Sequence, residues 1–144
     1  GVRAFKHALG EAEGDGHLPL EIRRGRRAVH YQNFASMYLV FLAEMMERQG
    51  VNAYDMEVDG YTVRDIASVA LDLMLNPSQV KQLGVIEEQI LPHETDSQFL
   101  AWLEPYFART GDERALLLME GRRPLYNRSL GGHTSLLFYN PDSG

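Results

Sequence analysis

Cysteine is absent from all 144 residues. Disulfide scaffolds, cysteine-ligated zinc, iron–sulfur clusters and thiol nucleophiles are excluded together, and the redox compartment is left open. Long apolar runs are missing as well. The richest, Met37 to Ala43, falls far short of the roughly twenty residues that a bilayer requires, so no membrane span is expected. Gly1 to Leu9 carry no basic segment followed by an apolar one, and no initiator Met precedes them. No export signal is legible, and the numbering is expected to start inside a longer product. Lysine is scarce: Lys6 and Lys81 are two of fourteen basic residues, the other twelve being arginine.

Charge is uneven along the chain. Residues 44–104 hold three basic side chains against twelve acidic ones, and the whole chain carries −6. A net-acidic chain lacks the many phosphate contacts on which non-specific nucleic-acid affinity depends, so no nucleic-acid partner is expected. Yet Arg23, Arg24, Arg26 and Arg27 fall within five positions. Guanidinium forks match carboxylates and phosphates, so the cluster reads either as a local anion site or as a solvated helix face.

With 44% of residues hydrophobic and 24% charged, the composition fits one globular domain over 1–144. Helical spacing at Val2, Phe5 and Leu9 stops at Gly10, and Pro19 with Glu21 two positions later is a helix-start signature. From Arg26 to Gln49 apolar residues recur on nearly every face, which predicts a helix surrounded by protein. Thr62 and Asp65 form a capping box before a helix over Val63 to Leu75, stopped by Asn76-Pro77. Pro77 to Leu83 reads as a short helix and Gly84 to Glu94 as loop. Asp96 or Ser97 is expected to cap a helix through Phe107 with Pro105 as a kink or early stop, and Glu113 to Glu120 makes one more helix. Pro124 to Gly144 reads as an ordered loop. The expected class is all-α.

The buried helix carries a constellation that asks for a reason. Glu21 to Phe34 places Arg, His, Tyr, Gln and Asn where unpartnered polar groups are costly. Arg24 and Tyr31 are seven apart, about 10.5 Å along a helix and within about 20° of one direction. Arg27 lies between them, and Phe34 and Tyr38 extend the stripe, provided that Gly25 stays helical. A phenol beside a guanidinium is a plausible proton carrier, because a nearby positive charge favours the phenolate. A core tyrosine and a surface arginine fit the same spacing. His30 and Asn33 point to other sides of the helix, either to hold a ligand or to satisfy neighbouring backbone. His7, His17, His93 and His133 offer no pair at metal-ligand spacing, so no metal site is expected.

The segment Glu21-Ile-Arg-Arg-Gly-Arg-Arg-Ala-Val-His-Tyr-Gln-Asn-Phe-Ala35 resembles the signature helix of the polysaccharide lyase family 5 alginate lyases, with Gly14-Asp-Gly-His-Leu-Pro19 as the turn before it. Phe99-Leu-Ala-Trp-Leu-Glu-Pro-Tyr106 and Pro124-Leu-Tyr-Asn-Arg-Ser-Leu-Gly-Gly132, followed by Thr134 and Phe138, agree in order and spacing. The resemblance implies the C-terminal portion of an incomplete (α/α) toroid, a set of paired helices around a deep cleft. It implies catalytic roles for Arg24 and Tyr31, and it places an adjacent Asn-His pair and a substrate-binding Lys in a preceding N-terminal half that completes the site. Arg27, His30, Asn33, Phe34 and Arg128 are the candidate substrate-binding residues. Phe34 stands where many members carry Tyr, and Arg128 precedes Ser129, where an arginine would be expected.

The implied chemistry is β-elimination on an anionic polysaccharide, mannuronate-rich alginate or a related polyuronate, leaving a C4–C5 double bond at the new non-reducing end. The uronate carboxylate must be neutralised while a base takes the C5 proton and an acid protonates the departing C4 oxygen. No cofactor is required. A periplasmic or secreted location follows from the same resemblance. A non-catalytic helical module that holds an acidic polysaccharide through the arginine cluster is the rival expectation.

Overall fold

The described residues of the computed structural model are 1–120, together with the backbone of Tyr126–Asn127 and Gly132–His133. They belong to two compact units, Gly1–Leu91 and Pro92–Gly144.

The first unit is organised around one helix. α1 (Val2–Leu9), α2 (Pro19–Ile22) and α4 (Val63–Leu75) all pack on α3 (Ala28–Arg48). At 21 residues α3 is about 31 Å long. Val29, Val40 and Ala43 are fully buried, as are Phe5 and Leu9 of α1. α4 turns Val63, Ile66, Ala67, Ala70 and Leu71 inward, a three-and-four repeat that gives one continuous apolar face. Its start is fixed by the expected capping box: the Thr62 N–H donates to Asp65 Oδ2 at 2.8 Å, and the Arg64 N–H donates to Thr62 Oγ1 at 3.2 Å. Pro77–Leu83 forms a 3-10 helix against α4, ended by Gly84. Gly84 to Leu91 follows as a strap without helix or strand.

Gly16 shows why the turn before α2 needs glycine. Its φ is +122°, and a Cβ there would lie 2.4 Å from the Asp65 carbonyl oxygen, so no side chain fits between this turn and α4.

In the second unit the helix expected from Asp96 to Phe107 is two elements. Asp96 caps a 3-10 turn, Ser97–Leu100, by accepting from the Gln98 N–H at 3.1 Å; α5 (Leu103–Thr110) then begins afresh. Pro105 sits in the first turn of α5, where its missing N–H leaves no helical acceptor unmet, so it neither kinks nor stops the helix. Trp102 and Tyr106 are buried with ring centroids 5.3 Å apart. α6 (Glu113–Met119) is capped by Asp112, whose carboxylate also takes a two-pronged contact from Arg114 at 3.0 and 2.6 Å. The Arg114 hydrogen bond holds the Asp112 carboxyl below its ordinary pKa. Two-residue strands, β1 (Tyr126–Asn127) and β2 (Gly132–His133), pair antiparallel. The rest of the expected C-terminal loop lies outside the described residues.

Candidate functional site

The arginine cluster occupies a chain reversal, not a helix. α2 ends at Ile22, and the Arg23 and Arg24 N–H groups donate back to the Pro19 and Glu21 carbonyls at 3.1 Å each. Gly25 then takes φ +59°, a left-handed conformation foreign to a helix interior. A 3-10 turn, Gly25–Arg27, leads into α3, which starts at Ala28 instead of the expected Arg26. The single stripe that required a helical Gly25 therefore does not exist.

Arg24 nevertheless reaches Tyr31. Its guanidinium carbon lies 4.9 Å from the centroid of the Tyr31 ring. A cation at that distance over a phenol is held by the negative face of the ring. The Arg24 side chain remains 57% exposed, and its ion pair to Glu21 is loose, with Nε 4.0 Å from Oε2. An exposed pair of that length contributes little. One face of the guanidinium is thus anchored on an aromatic ring while its surroundings are open to an incoming anion.

The other sequence candidates separate. His30 was expected on another side of the helix, yet its ring centroid lies 5.3 Å from that of Tyr31 and 6.0 Å from that of Phe34. Phe34 in turn meets Tyr38 edge-on at 4.9 Å. Burial first, and then the charge of Arg27, hold the His30 pKa below the ordinary histidine value. Arg27 itself is exposed. Asn33 has no exposed surface. Arg128 lies outside the described residues. Among the described residues no three His, Asp or Glu side chains come together as a metal-binding group.

Two glutamines hold this arrangement. Gln32 is fully buried: its Oε1 accepts from the Leu18 N–H at 3.0 Å, and its Nε2 donates to the carbonyls of Ile66 and Gly16 at 3.2 and 3.4 Å. It ties α3 to both α4 and the turn before α2. Gln89, in the strap, accepts from the Val29 N–H at 3.0 Å and donates to the carbonyls of Gly25 at 2.9 Å and Glu87 at 3.0 Å. Sequence reasoning passed over Gln89, because a glutamine in a loop has no periodicity. The usable signal was at the other end: Arg27, the N-cap of α3, has no side-chain acceptor for the first-turn amides.

Comparison with known proteins places these observations. The family model for alginate lyases matches residues 1–80. A polysaccharide lyase of Stenotrophomonas maltophilia is 28% identical over 95% of this chain and 39% of its own length. An alginate lyase of Azotobacter vinelandii is 29% identical over 95% of this chain and 36% of its own length. Alginate lyase A1-III, solved as a histidine-to-alanine variant complexed with tetrasaccharide, superposes with a TM-score of 0.87 at 28% identity, covering 97% of this chain and 39% of that one. A tyrosine-to-phenylalanine variant of A1-III, also complexed with tetrasaccharide, gives 0.87 at 27% identity. The mostly helical fold is that of the (α/α) toroid, and this chain spans somewhat over a third of the length of the relatives it matches. From the match over its first 80 residues and the shared fold, the chain belongs to the alginate lyase family.

Proposed function

We propose that these residues are the C-terminal portion of a polysaccharide lyase that cleaves mannuronate-rich alginate or a close polyuronate by β-elimination. The observation that carries this reading is the Arg24 guanidinium standing over the Tyr31 ring, in a chain of the alginate lyase family. In the elimination the C5–H and C4–O bonds break and a C4–C5 double bond forms. The Tyr31 oxygen takes the C5 proton and returns a proton to the departing C4 oxygen, in one role or both. Arg24 offers its open fork to the uronate carboxylate, the charge that otherwise opposes carbanion formation at C5. Its stacking on Tyr31 keeps the anion site and the proton carrier in register.

Arg27, His30, Phe34 and Arg128 are the proposed sugar contacts. His30, with its pKa lowered, meets the substrate as a neutral imidazole near neutral pH. An Asn-His pair and a Lys from a preceding N-terminal half complete the carboxylate site. Tyr38 and Met45 on α3, 45% and 44% exposed, are apolar surface of the kind that such a half would cover. No described helix is long and apolar enough to cross a membrane, and a periplasmic or secreted setting suits a polymer substrate.

The test is ultraviolet absorbance of the unsaturated ends, using the full-length protein on mannuronan, guluronan, glucuronan and hyaluronan. Mannuronan is expected to react fastest. Binding of these polymers with no alkene produced from any of them would favour the non-catalytic module.

A further inference from the structure

The start of α3 has a capping problem. An α-helix leaves its first amides without partners, and a side chain at the N-cap normally accepts from one of them. Here the N-cap is Arg27, a residue with no acceptor, and it makes no cap bond. The chain immediately before it is a left-handed glycine and a 3-10 turn closed by backbone bonds, from the Arg27 N–H to the Arg24 carbonyl at 3.2 Å and from the Ala28 N–H to the Gly25 carbonyl, with no side chain of its own capping the helix. Arg24 lies on one side of this junction and Tyr31 on the other. Their registry depends on a segment in which no local side chain caps the helix that follows.

The strap supplies what is missing. The Gln89 amide has an acceptor end and a donor end, and both are used: Oε1 takes the Val29 N–H, second amide of α3, while Nε2 donates to the Gly25 carbonyl across the break. The next residue adds a backbone bond, with the Ile90 N–H donating to the Arg26 carbonyl at 2.7 Å. A carboxamide carries an acceptor and a donor side by side at every pH, so one side chain serves both partners. The third contact, Nε2 to the Glu87 carbonyl, orients the amide from its own strap.

We infer that Gln89 is a positioning residue for the elimination, a cap supplied from a distant strap that holds Arg24 over Tyr31 without touching the substrate. The inference rests on the lyase reading above, and it adds a residue 58 positions beyond Tyr31 to the machinery.

In the full-length enzyme, Gln89→Leu is expected to lower kcat about tenfold, with KM for mannuronan changed less than about twofold, at temperatures well below unfolding. Gln89→Glu keeps the acceptor and, once protonated, regains a donor. Its activity relative to wild type should therefore recover as the pH falls. In an Arg24→Lys background, where the fork that Gln89 positions is already gone, Gln89→Leu should cost less than about twofold. Equal losses in both backgrounds, or an unchanged kcat, would overturn the inference even though the lyase reading stood. Amide exchange at Val29 reads the cap independently of activity. Gln89→Leu should raise it about tenfold, and unchanged exchange would overturn the inference whether or not the wild type cleaves a polyuronate.

Discussion

Arg24 and Tyr31 meet across a chain reversal: the guanidinium carbon is 4.9 Å from the ring centroid, although Gly25 between them has φ +59°. The contact is made by a turn that folds the arginine back over the first turns of α3. Its chemistry depends on the guanidinium plane, which can stack and pair at once. Arg24→Lys keeps the charge and loses the fork, so kcat/KM on mannuronan should fall about a hundredfold. Arg23→Gln, one residue away and exposed, should stay within about threefold, since it lacks the stacking contact. Steady-state kinetics on the two variants distinguish these outcomes.

Gly25→Ala tests the reversal itself. A Cβ there would find its nearest atoms in the Glu87 carboxylate at 3.6 Å, an ordinary contact, so space is not the obstacle. The left-handed conformation is, at about 1–2 kcal/mol for an L residue. Urea unfolding should show that loss, together with a fall in kcat. Full stability would mean that the glycine is not needed in this conformation.

Gln32→Leu separates architecture from chemistry. Three hydrogen bonds from a fully buried amide disappear, stranding the Leu18 N–H and loosening the Ile66 carbonyl. Unfolding measurements should report a loss of about 2–4 kcal/mol, with kcat per folded molecule little changed.

Local signals in the sequence were reliable where the physics is local. Thr62 and Asp65 lie within one turn of each other, so their capping box and the helix behind it were legible. The burial of Val29, Leu39, Val40 and Ala43 followed from apolar residues on nearly every face, but α3 is not surrounded on all sides, since Tyr38 and Met45 are exposed among the described residues. What failed was continuity. Gly25 was read at its helical cost, whereas the fold uses its left-handed freedom, and Pro105 was read as a kink when it opens a helix. Arg24 and Tyr31 were identified as a pair by spacing and resemblance, although the geometry that unites them is not the helix that the spacing assumed. Gln32 and Gln89 were illegible because the partners that they tie to α3 and the turns around it lie 14 to 64 residues away, and no periodicity encodes such bonds.

His30 gives the site a pH signature. Burial, followed by the Arg27 charge, sets its folded pKa below 6.5. As the pH falls through 6.5 the unfolded chain takes up a proton at this position before the folded chain does, so stability decreases with acidification; above 6.5 the residue is neutral in both states and adds no pH dependence. Thermal unfolding of His30→Gln should therefore lose less on the acid side than wild type does. An identical acid slope in the two proteins would contradict the assignment.

The central claim is that the Tyr31 oxygen carries the proton. Tyr31→Phe removes that oxygen and leaves the ring on which Arg24 stacks. The decisive measurement is alkene formation from mannuronan by full-length wild type and Tyr31→Phe at saturating polymer, with polymer affinity titrated in parallel. A loss of about 10² to 10⁴ in rate with affinity unchanged within about twofold is the predicted result. Turnover by Tyr31→Phe at the wild-type rate would contradict it.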